Sequence, residues 1–189
     1  MARAKVEHLA DSRQVLKILI VEDTPADAQL TVAALERAGY SLAYEVVESP
    51  EGFEERLQRA DYDVILADYN LRTWTALDAL ELLQKSGKDI PLILVTGSLG
   101  DEAAVECLKQ GAADYVLKDR LQRLPVAVRR AREETILRAH RAAAEEALQK
   151  TLEILQALID ASPAPILTID PQGKVLLWNP ACERVFGWT

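Results

Sequence analysis

The chain has 189 residues, 49% of them hydrophobic and 28% charged, the composition of an ordinary globular protein of one or two domains. Its formal net charge of −8 argues against a sequence-independent nucleic-acid surface. No apolar run approaches the ~20 residues that a membrane helix needs, and the N-terminus has no signal-like apolar segment. Cys107 and Cys182 stand far apart without metal-ligand spacing, so they read as reduced, buried thiols of a cytoplasmic chain.

Residues 1–14 are polar and mixed in charge, and read as an arm or short helix. The run Val15–Val21 is apolar and ends in Glu22-Asp23, as expected of a buried strand tipped with acid. A helix follows. Thr24 is placed to cap it, Pro25 suits its first position, and Asp27 favours the positive end of its dipole. Leu30, Ala33, Ala34 and Ala38 form its expected apolar face, and Gly39 stops it. The alternation then repeats. Strands are expected at Tyr44–Val47, Val64–Ala67, Leu92–Val95 and Tyr115–Leu117. Helices are expected from Ser49-Pro50 through Phe53, Leu57 and Ala60, from Ala76 to Leu83, and from Ala103 to Gln110. Five β-then-α units imply a parallel sheet with helices on both faces, because parallel neighbours need crossovers. Right-handed crossovers bring every strand's C-terminal end to one edge, where open α/β sheets place their chemistry.

That edge collects Glu22, Asp23, Asp68, Thr96 and Lys118. Carboxylates in one place repel unless a cation sits among them, and hard oxygens in that number suit Mg²⁺. A lysine offsets further negative charge, and a hydroxyl can bond an added oxyanion. The set fits phosphoryl transfer onto Asp68, giving an aspartyl phosphate whose charge Lys118, Thr96 and the metal spread.

On these residues, the stretch from about 15 to 135 resembles a response-regulator receiver domain. The resemblance implies a doubly wound, flavodoxin-like α/β sheet of five parallel strands. It implies Asp68 as phosphoacceptor with Lys118 and Thr96 as its catalytic companions, and Thr96 with Tyr115 as a switch pair. The metal, Mg²⁺ or Mn²⁺, would be held by Asp23, Asp68 and the Asn70 backbone carbonyl, with Glu22 acting through water. The partner would be a histidine kinase or a phosphotransfer protein. Two departures stand out. Asp119 follows Lys118 where the family usually places a proline, often cis; a non-proline cis bond costs about 3 kcal/mol, so this bond is trans or the loop is strained. Arg72 stands where proline is common in the loop after Asp68, and Trp74 reads as an exposed or half-packed aromatic near the site.

From Pro125 to about Ala161 glycine disappears, and Leu137, Arg141, Ala144, Leu148, Thr151, Leu155 and Leu158 follow steps of four and three. The plain reading is a solvated connecting helix; the seam favours a parallel homodimer coiled coil. Arg129, Arg130 and Arg132 read as solvated or paired with Glu133 and Glu134, without a helix-turn-helix for DNA. Ser162-Pro163-Ala164-Pro165 ends the helix. Ile166–Ile169 and Lys174–Trp178 then form a hairpin across Asp170-Pro171-Gln172-Gly173, and Asn179-Pro180 opens a last helix. Such a piece cannot bury a core alone, so it belongs to something longer or packs on a partner. Ala157–Pro163, Ile166–Asp170, Gly173-Lys174 and Trp178–Ala181 resemble the opening of a PAS sensor domain.

The expected division is an arm at 1–14, a receiver at 15–124, a fifth helix continuing as a coiled-coil linker at 125–161, and a PAS start at 162–189. The resemblances together imply a phosphorelay receiver that passes its state through the long helix to a PAS or output module. That module would belong to a sensor histidine kinase or, alternatively, a cyclic-dinucleotide synthase or phosphatase. No enzyme activity is expected of this chain beyond phosphorylation and dephosphorylation at Asp68. A phosphatase acting on free substrate would carry a second acid where Asn70 stands. His140 is followed by Arg141, the wrong neighbour for a kinase phosphoacceptor.

Overall fold

In a computed structural model of the chain, residues 15–97 and 106–187 are described. The expected arm at 1–14 and the start of the fourth helix at Ala103 lie outside them. The chain divides into two compact units, Met1–Ile136 and Leu137–Thr189.

The first unit is the α/β sheet. Strands β1 (Leu16–Val21), β2 (Leu42–Val47), β3 (Val64–Ala67), β4 (Leu92–Thr96) and β5 (Asp114–Leu117) are all parallel and lie in the order β2-β1-β3-β4-β5. Helices α1 (Pro25–Arg37), α2 (Pro50–Arg59), α3 (Ala76–Ser86) and α4, described over 106–109, connect them. The central strands are apolar throughout because alternate residues serve opposite faces. On one face Leu19, Val21, Ile65, Ala67, Leu92 and Leu94 pack with Phe53, Leu57, Leu80 and Cys107. On the other, Ile18, Ile20, Val64, Leu66, Ile93, Val95 and Val116 pack with Val32, Leu35, Leu124 and Val128. All four β3 residues are buried, so nothing along that strand accommodates a charge before Asp68.

Local signals set the helix ends. The Ser49 hydroxyl accepts the Gly52 amide at the start of α2. Thr75 and Asp78 form a reciprocal capping box at α3, and Gly87 ends that helix in the left-handed region (φ 70°). Two expectations need correction in α1. The Thr24 side chain does not cap the helix; its hydroxyl donates to Asp23 Oδ1 at 3.2 Å. The buried face is Ala28, Thr31, Val32 and Leu35, whereas Leu30 is exposed. The helix is turned so that Ala28, Thr31, Val32 and Leu35 meet the sheet, with Ala33 and Ala34 at the flank.

Edge strand β2 is mostly exposed, with Tyr44 and Val46 open to solvent. Between them Glu45 pairs with Arg56 and accepts the Tyr62 hydroxyl at 3.0 Å. Burial and the Glu45 carboxylate together push the Tyr62 phenol up to about 12.

A short 3₁₀ segment (Lys118–Arg123) leads into α5 (Leu124–Ala161), a helix of 38 residues. Its first turns bury Leu124, Ala127, Val128 and Ala131 in the sheet's second core layer. Arg130 pairs with Glu134 as expected, but Arg132 reaches across to Asp63 at 3.4 Å instead of an acid on its own helix. Every residue of the anticipated seam, Leu137 to Leu158, is exposed. Arg141–Glu145 and Glu146–Lys150 pair along the helix surface.

In the second unit, β6 (Leu167–Ile169) and β7 (Val175–Trp178) form the antiparallel hairpin, and α6 (Pro180–Phe186) follows. Buried Asn179 organises it: its amide oxygen accepts the Ile166 and Cys182 amides, and its nitrogen donates to the Ile159 and Ala164 carbonyls. Leu176, Ile169 and Val185 remain exposed, the uncovered apolar surface the sequence implies. Among the described residues, no helix is long and apolar enough to cross a membrane.

Trp74 is neither exposed nor half-packed. It is 6% exposed, stands 5.7 Å from the Phe53 ring and donates its indole N–H to the Glu48 carbonyl at 3.0 Å. The loop after Asp68 is therefore pinned into the core beneath α2 and α3. Trp74→Ala is expected to lower the unfolding free energy by about 3–5 kcal/mol in urea denaturation, and a loss under about 1 kcal/mol would show that the indole does not anchor this layer.

Candidate functional site

The C-terminal edge of the sheet is built by backbone bonds that carry the chain past the last strand residues. Glu22 donates its amide to the Val47 carbonyl at 3.1 Å, and Asp68 donates to Val21 at 2.9 Å. Both acids thus emerge at fixed heights beside each other, on adjacent strands β1 and β3. Lys118 follows β5 and reaches back across the edge.

Its ammonium has three N–H donors, and three carboxylates take them. Lys118 Nζ lies 2.8 Å from Glu22 Oε2, 2.8 Å from Asp68 Oδ2 and 2.6 Å from Asp27 Oδ2. Burial pulls the Lys118 pKa down, but the bonds to Asp27, Asp68 and Glu22 outweigh it and hold the amine well above the ordinary lysine range. Burial pushes the Glu22 carboxyl up, and the Lys118 contact only partly offsets this. Glu22 is steadied further by the Thr24 amide, 3.1 Å from Oε1.

Asp23 points elsewhere. Its Oδ2 accepts the Arg72 amide at 3.1 Å and lies 3.3 Å from the Arg72 guanidinium. The Asn70 amide donates to Asp68 Oδ1 at 3.4 Å, so the loop turns tightly around the acceptor acid. Thr96 is buried at the tip of β4, where it pairs in register with Leu117. Tyr115, in β5, is half-buried and packs against the first core layer. The ion cluster itself thus comprises Glu22, Asp27, Asp68 and Lys118; among the described residues, Thr96 and Tyr115 flank it and Asp23 is tied to Arg72. No cis peptide occurs among the described residues, so the Lys118–Asp119 bond is trans.

Asp27 is the member that sequence reasoning missed. It was assigned to the helix dipole, a role that its place in the first turn of α1 allows. The available signal was its spacing. Asp27 is the third residue of a helix that begins at Pro25, just after Glu22-Asp23, so it starts over the edge that holds the other acids.

Chain order and site together define a receiver of the response-regulator type. Residues 18–129 match the family model of the response regulator receiver domain, and residues 153–189 match that of the PAS fold. The chain therefore belongs to the response-regulator receiver family. It is 28% identical over 105 residues to the chemotaxis protein CheY1 of Helicobacter pylori, covering 54% of this chain and 85% of that protein. It is 29% identical over 122 residues to the cell cycle transcriptional regulator CtrA of Caulobacter vibrioides, covering 62% of this chain but 52% of that protein. Among solved structures, the receiver domain of the Francisella response regulator 1452 superposes with a TM-score of 0.56 at 24% identity, over 64% of this chain and 98% of that one. A response regulator receiver domain protein from Clostridium thermocellum gives 0.56 at 25% identity, over 65% and 98%.

Receiver domains bind Mg²⁺ at this edge. The donors here have suitable chemistry: carboxylate oxygens of Asp23 and Asp68, both partly open to solvent, and the Asn70 backbone beside them. Among the described residues no group of three or more acids, histidines or cysteines is arranged to hold a metal ion by itself. Mg²⁺ keeps several waters and commonly takes only one or two carboxylates, so this donor set is sufficient.

Lys118→Met would leave Glu22, Asp27 and Asp68 without their shared cation. The expected cost is about 2–4 kcal/mol near pH 7, because uncompensated buried charge is expensive. Without the ammonium, the Glu22 carboxyl, already pushed up by burial, loses the contact that offsets this, so the folded state binds more protons and regains stability as pH falls towards about 5. Urea denaturation at the two pH values checks this; a deficit that does not shrink in acid would contradict the ion-cluster account.

Proposed function

We propose that this chain is a phosphorelay receiver in which Asp68 takes a phosphoryl group from a phosphohistidine of a histidine kinase or phosphotransfer protein, or from a small phosphodonor. An Asp68 carboxylate oxygen attacks phosphorus in line. The O–P bond forms as the P–N bond to imidazole breaks, and the electron pair leaves with the imidazole nitrogen. The observation that carries this reading is Lys118 Nζ, 2.8 Å from Asp68 Oδ2 at the open edge of the sheet. There the ammonium can transfer its hydrogen bond from the carboxylate to a phosphoryl oxygen. Mg²⁺ or Mn²⁺, held by Asp23, Asp68 and the Asn70 carbonyl with Glu22 acting through water, would supply further neutralisation of the transferred oxygens.

Thr96 and Tyr115 form the switch in this reading. Thr96 lies at the tip of β4, next to the acceptor strand, and offers a hydroxyl at that end of the sheet. In this reading a Thr96 hydroxyl drawn to the phosphoryl group lets Tyr115, half-buried on the neighbouring strand β5, move inward. The β5 residue Val116 packs in the layer that holds the first turns of α5, which gives the change a route into the long helix. The exposed seam of Leu137, Leu148, Leu155 and Leu158 supports a homodimer through that helix. The PAS match over 153–189 supports a sensor-type output, such as a histidine kinase; a cyclic-dinucleotide synthase or phosphatase is the alternative. We assign 15–124 to the receiver, 125–161 to the linker helix and 162–189 to the PAS segment.

Acetyl phosphate with Mg²⁺ is expected to label the chain, and Asp68→Asn to abolish labelling; label retained by that variant would move the acceptor elsewhere. Sedimentation equilibrium is expected to give a dimer that residues 1–136 alone do not form. A monomer at high concentration with the long helix intact would remove the coiled-coil proposal.

A further inference from the structure

The acid cluster holds one carboxylate more than phosphoryl transfer to Asp68 requires. Among the described residues, Glu22, Asp23, Asp27 and Asp68 pair with Lys118 and Arg72, a formal balance of −2 for these six side chains. Arg72 is 80% exposed and Lys118 only 19%, so Lys118 is the cation that governs the interior of the cluster. Asp27 makes the shortest of its three bonds, 2.6 Å, from a position 32% exposed at the mouth. The acid is thus close enough to hold the ammonium and open enough to face an incoming group.

We infer that Asp27 is a positioning residue that sets the cation-to-anion preference of this site by holding one of the three Lys118 donors and adding one negative charge. This rests on the reading of Asp68 as phosphoacceptor. With Asp27 ionised, the edge matches a divalent cation and resists an anion. With its charge removed, the formal balance falls to −1, and Lys118 has a donor and a charge less committed to its own carboxylates. Phosphorylation of Asp68 by acetyl phosphate forms an O–P bond on the Asp68 carboxylate, breaks the P–O bond of the donor and releases acetate with the electron pair. It brings negative charge to the spot where Lys118 already serves Asp68. Asp27 therefore opposes the gain of the phosphoryl group while supporting the gain of the metal, and acts as a brake on anionic donors.

Asp27→Asn separates charge from position, because the amide oxygen still accepts from Lys118. In the whole chain, Mg²⁺ affinity by titration calorimetry is expected to fall about three- to tenfold in Asp27→Asn. At saturating Mg²⁺, beryllofluoride affinity and the rate of labelling by acetyl phosphate are expected to rise by a similar factor. Asp27→Glu is expected to restore both to near the native values, which a packing role for a side chain of fixed length would not do. Asp27→Ser serves as a second charge-removing variant should the asparagine chain not fold, which circular dichroism decides. Mg²⁺ and beryllofluoride affinities that stay within about twofold of the native chain, or that move in the same direction, would overturn the inference. Native chain and Asp68→Asn are labelled in parallel. A native chain that takes no label, or an Asp68→Asn chain that does, rejects the acceptor reading. A labelled native chain with an indifferent Asp27→Asn rejects only the role of Asp27.

Discussion

A single ammonium holds the functional edge of this protein together. Three carboxylates from β1, α1 and β3 converge on Lys118, and each would be costly to keep there without it. Removing any one acid leaves the other contacts in place, whereas removing the lysine leaves three like charges in a partly buried space. The rest of the sheet fixes where those charges meet. β3 is short and wholly buried, and it pairs in register with β1 on one side and β4 on the other. The tips of three adjacent strands are therefore at one level, and a side chain from β5 needs to cross only that distance.

The same economy explains why the chemistry sits here and nowhere else along the strands. A sheet covered on both faces must be apolar along its length, because a charge inside either layer would lack water and partner alike. Polar function is forced out to the ends. At the C-terminal ends, helix starts and loop amides gather. The Thr24 amide on Glu22 and the Arg72 amide on Asp23 are examples of backbone donors that such an edge offers to acids.

This constraint is also what made so much legible in advance. Apolar runs ending in acid, threonine or lysine identify the buried strands, and their order gives the edge that collects Glu22, Asp23, Asp68, Thr96 and Lys118. The misreadings share a cause. Asp27 has a sufficient local reason to be where it is, at the start of a helix, so the sequence did not disclose its long-range bond across 91 positions to Lys118. Trp74 lies in a polar loop, and only the folded chain shows the Phe53 ring and the Glu48 carbonyl that receive it. Arg132 stands in a helix with acids one and two residues later, yet bonds Asp63. In each case a nearby explanation in sequence concealed a distant partner in space. The face of α1 was misjudged differently: it was drawn through Leu30, Ala33, Ala34 and Ala38, whereas Ala28, Thr31, Val32 and Leu35 meet the sheet.

The exposed edge of β2 bears on how the protein behaves in concentrated solution. Tyr44 and Val46 would make an open sheet margin attractive to the same margin of another molecule, and β-strand addition needs little more than an unpaired, apolar edge. Glu45 stands between them, held by Arg56 and Tyr62, so a second copy approaching this margin would meet a charged, hydrogen-bonded side chain where an apolar one would favour pairing. The rim of the sheet thus carries one charged pair in the middle of an otherwise apolar margin, a feature that bears on how molecules meet one another and not on how the chain folds.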